Sequence, residues 1–333
     1  MTARIAINGF GRIGRSFLRI ASERGLEVVA VNDLMTPATL AHLLAFDSTY
    51  GRFPGTVEAA DQALIVNGTK IAVTAVSDPA TLDWAALGVD VVVESTGRFS
   101  KREDAAAHLK AGARKAIISA PGKNADLTVV MGINDGEYDP ARHDVISNAS
   151  CTTNCVAPMA KVLHDAFGLE KALMTTIHAY TGDQSLLDGP HKDLHRARSA
   201  AVNIIPTSTG AARTTGVVIP ELDGRLDGLA VRVPVQDGSL TDLTAVLSRD
   251  VTVEEVNAAF QEAASNGSLS RVLRYNTAPL VSTDIIGDPS SCVFDSGLTL
   301  ADGRLVKVFG WYDNEFGYTS RLADLVEYVS ARL

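Results

Sequence analysis

The sequence is poor in cysteine, with only three among 333 residues: Cys151, Cys155 and Cys292. Three thiols are too few for a disulfide framework in a chain of this length, and they fit a reducing compartment. No apolar run approaches the ~20 residues that a membrane-spanning helix requires, and the first residues show no charged-then-apolar leader. We therefore expect a soluble, cytoplasmic protein with no membrane partner.

Positive charge is also scarce, since 30 Lys and Arg face 39 Asp and Glu and the formal net charge is −9. Binding to nucleic acid rests on clustered cations that neutralise phosphates, so this balance argues against a nucleic-acid partner. It does not exclude a small phosphorylated ligand, which needs only a few well-placed cations. Because single cores rarely extend past ~250–300 residues, the length predicts about two domains.

The first third of the chain alternates short β-branched runs with helix-like stretches, which is typical of βαβ units around a parallel sheet. Asn67-Gly68, between two apolar alternations, predicts a tight hairpin turn beside that sheet. Strands are predicted at 5–8, 28–32, 89–94, 115–119 and 144–147, and helices at 12–24, 37–46 and 101–111.

After about residue 150 longer β-rich segments predict an α+β domain with a mostly antiparallel sheet. These segments are 173–180, 226–235, 241–247 and 306–312, with a polar segment at 181–203. The final stretch, 318–332, presents one apolar helical face. The expected division is 1–150 together with a C-terminal helix at 315–333, against 151–314 for the second domain.

A glycine motif, Gly9-Phe-Gly-Arg-Ile-Gly14, directly follows a predicted strand and opens a predicted helix. Glycines at this spacing let the backbone approach a pyrophosphate, whose charge is stabilised by the N–H groups at the helix start. Asp33 ends the second strand, where a carboxylate can bind the ribose hydroxyls and repel a 2′-phosphate. The pattern predicts a Rossmann-type domain that binds NAD rather than NADP. A glycine-rich turn beside a surface aspartate is the structural alternative.

Two further strand ends carry small polar residues, Ser95-Thr96-Gly97 and Ser119-Ala-Pro-Gly122. Loops at the carboxyl edge of a parallel sheet flank a bound dinucleotide, so Thr96 and Ser119 are candidate contacts. Ordinary turn chemistry explains each of them equally well.

The segment Ser147-Asn-Ala-Ser-Cys-Thr-Thr-Asn-Cys155 lies between a predicted strand and a predicted helix. Cys151 is thereby placed at a helix N-terminus, where backbone N–H groups are expected to lower the pKa of a thiol and to stabilise an oxyanion. Cys155, one turn later, is expected to be a small buried residue, and Cys292 is interpreted as structural.

A nucleophilic thiol needs a base, and His178 ends an apolar strand at the start of the polar segment. Spacing alone leaves a core histidine equally acceptable. His191 and His195 lie four residues apart, but no further ligands accompany them, so no metal site is predicted.

Taken together, these motifs resemble the phosphorylating glyceraldehyde-3-phosphate dehydrogenase family. The resemblance runs in order from residue 3 to the C-terminus and rests on Asn8-Gly-Phe-Gly-Arg-Ile-Gly-Arg15, the cysteine segment, His178-Ala-Tyr-Thr181, Ile204-Ile-Pro-Thr-Ser-Thr-Gly-Ala-Ala212, Arg232-Val-Pro234 and Trp311-Tyr-Asp-Asn-Glu315. It implies a homotetrameric glycolytic enzyme that oxidises glyceraldehyde 3-phosphate with NAD and inorganic phosphate. The polar segment resembles a loop that lines a neighbouring subunit's cofactor site.

The resemblance also implies roles for individual residues. Cys151 corresponds to the thiol that forms a thiohemiacetal and then a thioester, and His178 to its base. The cofactor contacts implied are Gly9, Gly11, Arg12, Ile13, Asp33, Ser77, Thr96, Ser119 and Asn314. The substrate phosphate would be held by Thr181, Arg196 and Arg232, and the attacking phosphate by Ser150, Thr152, Thr209 and Gly210. Ser77 stands where many relatives have a basic residue, and this departure leaves one adenosine contact open.

Three other functions compete with this interpretation. An erythrose-4-phosphate dehydrogenase shares the cysteine motif without phosphorolysis, but the phosphate-site pattern at 207–210 favours the glyceraldehyde enzyme. Asp33 and Gly189-Pro190 argue against an NADP-linked biosynthetic member. A catalytically silent nucleotide-binding interaction protein is disfavoured because Cys151 and His178 are both present.

Overall fold

A computed structural model describes residues 3–333, which form two compact units. The first comprises 3–129, 137–149 and 319–333, and the second comprises 130–136 and 150–318. Within the described residues, no helix combines the length and the apolar character needed to cross a bilayer.

The first unit is built on a nine-stranded sheet whose central strands are parallel, as the βαβ pattern predicts. Its spatial order is β10-β11-β9-β8-β1-β2-β7-β6-β5. The strands are β1 Arg4–Asn8, β2 Glu27–Asn32, β5 Val57–Ala60, β6 Ala63–Val66, β7 Thr69–Thr74, β8 Val91–Glu94, β9 Lys115–Ile118, β10 Leu127–Thr128 and β11 Val145–Ser147, while β3 Phe46–Asp47 and β4 Gly51–Arg52 pair apart from the sheet. At one edge β6 and β7 form the predicted hairpin, with Asn67 at φ 51° and Gly68 at φ 79° in its turn.

The helices of this unit are α1 Arg12–Arg24, α2 Pro37–Ala45, α3 Arg102–Ala105 and α4 Ala107–Lys110. The single helix predicted at 101–111 is therefore wrong, because the chain tightens around Ala106. Leu109 N–H bonds to the Ala106 carbonyl at 3.1 Å and Gly112 N–H to the Leu109 carbonyl at 3.1 Å, in the i→i+3 pattern of a narrower helix. His108, in α4, is fully buried.

The second unit contains a mostly antiparallel eight-stranded sheet, which confirms the predicted α+β class. Its order is β13-β14-β12-β15-β19-β17-β16, with β18 pairing β19. The strands are β12 Leu169–Ala179, β13 Ile205–Ser208, β14 Leu226–Val233, β15 Ser239–Leu247, β16 Leu273–Asn276, β17 Cys292–Asp295, β18 Leu300–Asp302 and β19 Leu305–Tyr312. Along β15 burial alternates residue by residue, as expected for a sheet with one face on a core.

Helices α5 Cys151–Phe167, α6 Ala211–Val218 and α7 Val253–Ser265 follow in this unit, and α8 spans Phe316–Ser330. Most of α5 is buried, including Pro158 in its interior. A helix that is buried nearly all round is a core helix, and in the first turn of α5 only Cys151 is partly exposed. That turn holds the candidate nucleophile.

Candidate active site

The glycine motif forms a turn in which two of the three glycines have no room for a side chain. Gly9 has φ +93°, and a Cβ there would lie 2.6 Å from Thr96 N. A Cβ on Gly14 would lie 2.2 Å from the Gly9 carbonyl oxygen. Gly9 lets the turn approach the backbone that follows β8, and Gly14 lets helix α1 pack closely on the turn, as the motif predicts.

Gly11 differs, because its φ is −70° and a Cβ there would meet nothing within 4 Å. The open space lies at the N-terminus of α1, where a pyrophosphate would be stabilised. Asp33 is tied to the same turn, since its Oδ2 accepts the Phe10 N–H at 2.8 Å and its Oδ1 accepts the Met35 N–H at 3.0 Å. The donor set and the free space fit NAD.

Five of the predicted cofactor residues line one groove of about 310 Å³ in the first unit: Gly9, Gly11, Asp33, Ser77 and Thr96. Arg12 and Ile13 begin α1, and Ser119 follows β9, all in this unit. The Arg12 guanidinium pairs with Asp47 and donates to Thr49 Oγ1 at 3.2 Å. Asn314 belongs to the second unit, where its Oδ1 accepts the Ser239 hydroxyl at 2.6 Å.

Substitutions at Gly11 and Gly14 should have different effects. We expect Gly11→Ala to weaken NAD binding by about tenfold or more while the free energy of unfolding stays unchanged, because the methyl group enters only the cofactor's space. Gly14→Ala should lower the free energy of unfolding by about 1–3 kcal/mol, because its methyl group collides with backbone. Urea unfolding and calorimetric NAD titration measure the two effects. Gly136→Ala, also in open space, is the control and should alter neither.

Cys151 is the first residue of α5, and the Ser150 hydroxyl caps this helix by accepting the Thr153 N–H at 3.0 Å. Two residues before the thiol, Ala149 has φ +55°, a left-handed conformation that non-glycine residues seldom adopt. Such strained backbone clusters at functional sites. The chain thus reaches the helix through a constrained turn that places the sulfur at its N-terminus.

His178 lies beside the thiol, with its Nε2 3.4 Å from Cys151 Sγ. Its Nδ1 lies 2.7 Å from the Ala179 carbonyl oxygen and 3.1 Å from Arg232 Nη1. The shorter contact, to a carbonyl that can only accept, favours a proton on Nδ1, and in that tautomer Nε2 presents a lone pair to the sulfur. Parallel pairing of β12 with β14 sets His178 opposite Arg232. The geometry is that of a base poised to take the thiol proton.

Burial favours the uncharged form of both groups, which corrects the expectation of a lowered thiol pKa. Burial raises the pKa of the Cys151 thiol to about 11, against the opposing effects of Arg232 and the Thr152 groups. Burial and then the charge of Arg232 lower the pKa of His178 to about 3. Desolvation therefore outweighs the helix N-terminus here, and ionisation of the thiol must be coupled to proton transfer.

Loss of Arg232 should suppress the reactivity of the thiol. Because this cation lowers the pKa of Cys151, we expect Arg232→Gln to slow alkylation by iodoacetamide at pH 7 by about three- to tenfold and to shift the profile to higher pH. The reagent is neutral, so its approach is insensitive to the arginine's charge. Arg198→Gln removes an exposed arginine paired with Asp188 and should leave the rate unchanged. Equal rates in all three proteins would contradict the assigned effect of Arg232.

The predicted ligands of the substrate phosphate do meet in the structure. Arg232 Nη1 donates to Thr181 Oγ1 at 2.9 Å and to the Ala179 carbonyl at 3.1 Å. Arg196 and Thr181 both contact one carboxylate, that of Asp183. Although burial opposes it, the Thr181 hydroxyl and the two arginines lower the pKa of Asp183 below its ordinary value. Two cations and a hydroxyl therefore converge near His178.

The predicted ligands of the attacking phosphate lie at the N-termini of two helices, α5 and α6. Ser150 caps α5, and the Thr152 hydroxyl is buried against the Tyr312 hydroxyl at 2.9 Å. Gly210 is the N-cap of α6, and Thr209 Oγ1 accepts the Ala211 N–H at 3.2 Å. Helix N-termini bind phosphate readily, but the Thr152 hydroxyl is already committed to Tyr312.

Two residues of the site, Tyr312 and Asp183, were not predicted from the sequence. Tyr312 places its hydroxyl between Thr152 Oγ1 at 2.9 Å and Thr176 Oγ1 at 2.8 Å, and its ring meets the His178 ring edge-on at 5.9 Å. Asp183 bridges Thr181 and Arg196. Tyr312 could have been found through the Trp311-Tyr-Asp-Asn-Glu315 motif, and Asp183 through its position two residues after Thr181.

The remaining cysteines are structural in this fold. Cys155 is fully buried, with its Sγ 4.0 Å from Met159 Sδ, as predicted. Cys292 is buried in β17. Among residues 3–333 no cluster of three or more histidine, cysteine, aspartate or glutamate side chains could hold a metal ion.

A Rossmann-type unit combined with a thiol–imidazole pair defines a class of protein: a nucleotide-dependent enzyme that works through a cysteine nucleophile. Family models for the glyceraldehyde 3-phosphate dehydrogenase NAD-binding domain and C-terminal domain match residues 3–102 and 150–314. The chain belongs to the glyceraldehyde-3-phosphate dehydrogenase family.

Similar curated proteins carry the same name. The chain is 56% identical to the glyceraldehyde-3-phosphate dehydrogenase of Streptomyces coelicolor, with all of both chains covered. It is 59% identical to glyceraldehyde-3-phosphate dehydrogenase 1 of Streptomyces avermitilis over 98% of each chain. It is 56% identical to the Geobacillus stearothermophilus enzyme of that name over 100% of this chain and 99% of the relative.

Proposed function

We propose that this protein oxidises D-glyceraldehyde 3-phosphate to 1,3-bisphosphoglycerate, using NAD and inorganic phosphate, as a step of glycolysis. The observation that carries the proposal is the 3.4 Å approach of His178 Nε2 to Cys151 Sγ in a member of this family. Arg232 beside this pair supplies a cation suited to a phosphorylated substrate.

The chemistry follows from the resting state of the pair. Cys151 Sγ adds to the aldehyde carbon while its proton passes to His178 Nε2, which leaves the thiohemiacetal as its oxyanion and His178 protonated. Bound NAD supplies the acceptor for the hydride that leaves this carbon. The resulting thioester is cleaved by a phosphate oxygen, which forms the acyl phosphate and releases Cys151 as a thiolate that recovers its proton from His178. A neutral imidazole is required in the first step, and burial beside Arg232, which lowers the pKa of His178, favours that form.

Two phosphate positions are assigned in this proposal. Thr181, Arg196 and Arg232 bind the phosphate of the substrate, supported by their convergence beside His178. The attacking phosphate is held at the helix starts formed by Ser150, Thr152, Thr209 and Gly210. Gly9, Gly11, Arg12, Ile13, Asp33, Ser77, Thr96, Ser119 and Asn314 are assigned to NAD, with 1–150 plus 315–333 as the NAD-binding domain and 151–314 as the catalytic domain.

We also propose that the active form is a cytoplasmic homotetramer. Large apolar side chains are exposed in and beside the polar segment, including Leu186, Leu187 and Leu194 at 74%, 75% and 79% exposure. Such a patch is typical of a surface that another protein covers, and a second copy of the chain is the partner proposed. Three free thiols suit a reducing compartment.

The proposal is tested by following the reduction of NAD with glyceraldehyde 3-phosphate. We expect sustained turnover only when inorganic phosphate is present, and much slower turnover with NADP, because Asp33 would face its 2′-phosphate. Equal turnover without phosphate would contradict the phosphorylating reaction. A higher kcat/KM for erythrose 4-phosphate would reassign the substrate.

A further inference from the structure

A layer of buried polar side chains lies across the carboxyl ends of adjacent strands in the first unit. Asn32, Asn8 and Glu94 end β2, β1 and β8, and they are 4%, 1% and 2% exposed. Asn32 Nδ2 donates to Asn8 Oδ1 at 2.7 Å, and Asn8 Nδ2 donates to Glu94 Oε2 at 2.6 Å. The layer is continuous across these three strands.

Glu94 accepts four hydrogen bonds from this layer and its surroundings. Oε1 accepts the Thr96 N–H at 2.9 Å and the Thr96 hydroxyl. Oε2 accepts from Asn8 and, at 2.9 Å, from His108 Nε2. A carboxyl group that receives four donors has no place for a proton, so Glu94 is a buried carboxylate.

The direction of these bonds is fixed from the far end by Trp84. Its indole Nε1 lies 3.1 Å from His108 Nδ1, and an indole N–H can only donate. Nδ1 of His108 must therefore accept, which leaves the proton on Nε2, facing Glu94. Trp84 and His108 are both fully buried. The chain of bonds runs one way, from indole to imidazole to carboxylate.

This chain ends at the cofactor groove. Asn8 and Thr96, two direct partners of Glu94, line the groove that holds Gly11 and Asp33. Asn32 also lines the groove, and its Oδ1 accepts the N–H of Val76, another lining residue, at 2.9 Å. The polar layer thus contributes side chains to the lining of the groove.

We propose that Trp84, His108 and Glu94 are positioning residues for NAD, which fix Asn8 and Thr96 in the conformation that the cofactor needs. The inference rests on the proposed use of NAD. A buried carboxylate whose donors are all uncharged is costly compared with an apolar core of the same shape. Buried groups that lower stability in this way concentrate at functional sites. Here the carboxylate accepts hydrogen bonds from Asn8 and Thr96, which both line the groove.

Glu94→Gln tests the proposal with an almost isosteric change. The NH₂ group of the glutamine must face other donors, either the Thr96 N–H and hydroxyl or the side chains of Asn8 and His108. His108 cannot move its proton from Nε2 to Nδ1 to accept this bond, because Nδ1 already accepts from the Trp84 indole. We expect calorimetric titration at 25 °C to show NAD binding weakened by about tenfold or more, while kcat at saturating NAD stays within about twofold.

Two further variants separate positioning from stability. Val145→Ala removes buried volume from β11 and should lower the melting temperature while NAD binding is unchanged. Asn8→Asp combined with Glu94→Gln exchanges carboxylate and amide. The amide introduced at position 94 then donates to the carboxylate introduced at position 8. That carboxylate can also accept from Asn32 and from His108, whose Nε2 lies 3.5 Å from the Asn8 amide nitrogen in the parent. This double variant should recover most of the lost NAD affinity.

If Glu94→Gln does not fold, Trp84→Phe takes its place, because it removes the indole N–H and keeps an aromatic ring. We expect about threefold or greater weakening of NAD binding in Trp84→Phe, with kcat unchanged. NAD affinity equal to that of the parent, together with a lowered melting temperature as in Val145→Ala, would overturn the inference and leave the proposed function intact. Failure of the parent protein itself to bind NAD would overturn both.

Discussion

Cys151→Ser should abolish turnover, lowering kcat by at least about 10³-fold, while NAD binds as in the parent protein. A serine hydroxyl ionises far less readily than a thiol, and burial at this position already raises the pKa of the thiol to about 11. The imidazole of His178 cannot compensate for so weak an acid. Steady-state kinetics with glyceraldehyde 3-phosphate and calorimetric titration with NAD measure the two quantities.

Cys155→Ser is the matched control, since it makes the same atomic change one helical turn away. Its sulfur is fully buried against Met159 and the Gly310 carbonyl, so the change should lower stability and leave kcat within about fivefold of the parent. An inactive, folded Cys155→Ser protein beside an active Cys151→Ser protein would show that the nucleophile was assigned wrongly.

His178→Asn should lower kcat by about 10²- to 10⁴-fold at pH 7, the usual contribution of a general base. The loss should shrink as the pH rises, because the variant depends on the fraction of Cys151 that is already thiolate. Below a thiol pKa of about 11 that fraction grows about tenfold for each pH unit. The parent, whose His178 has a pKa of about 3, keeps its base in the active form throughout the neutral range.

Stopped-flow measurement of the first turnover from pH 6 to pH 9 compares the two proteins directly. His42→Asn, at an exposed position in α2, supplies the control and should follow the parent. Parallel pH profiles for the parent and His178→Asn would mean that His178 orients the substrate without accepting the proton.

Local patterns were sufficient for much of this molecule. The Asn67-Gly68 turn, the glycine motif between β1 and α1 and the position of Cys151 at the start of α5 all depend on a few consecutive residues, and all three are in place. The fold class followed from alternating strand and helix signals, because each element requires its own periodicity.

Features that depend on contacts between residues far apart in the sequence could not be predicted from local patterns. The pKa of Cys151 is raised because the sulfur is buried by other elements, while the helix N-terminus was visible in the sequence. His108 is fully buried, and its bond to Trp84 spans 24 positions of the sequence. The carboxylate of Asp183 was read as part of a polar segment, because its contact with Arg196 depends on how that segment folds.

Because Asp183 contacts Thr181 and Arg196, the proposed binding position for the substrate phosphate already contains a carboxylate. Its ligands already hold an internal anion, so an incoming phosphate group exchanges with a carboxylate instead of with water alone. An exchange of one anion for another discriminates by the number and geometry of oxygens rather than by charge. The protein would then reject abundant singly charged carboxylates, which offer Arg196 nothing that Asp183 does not already provide.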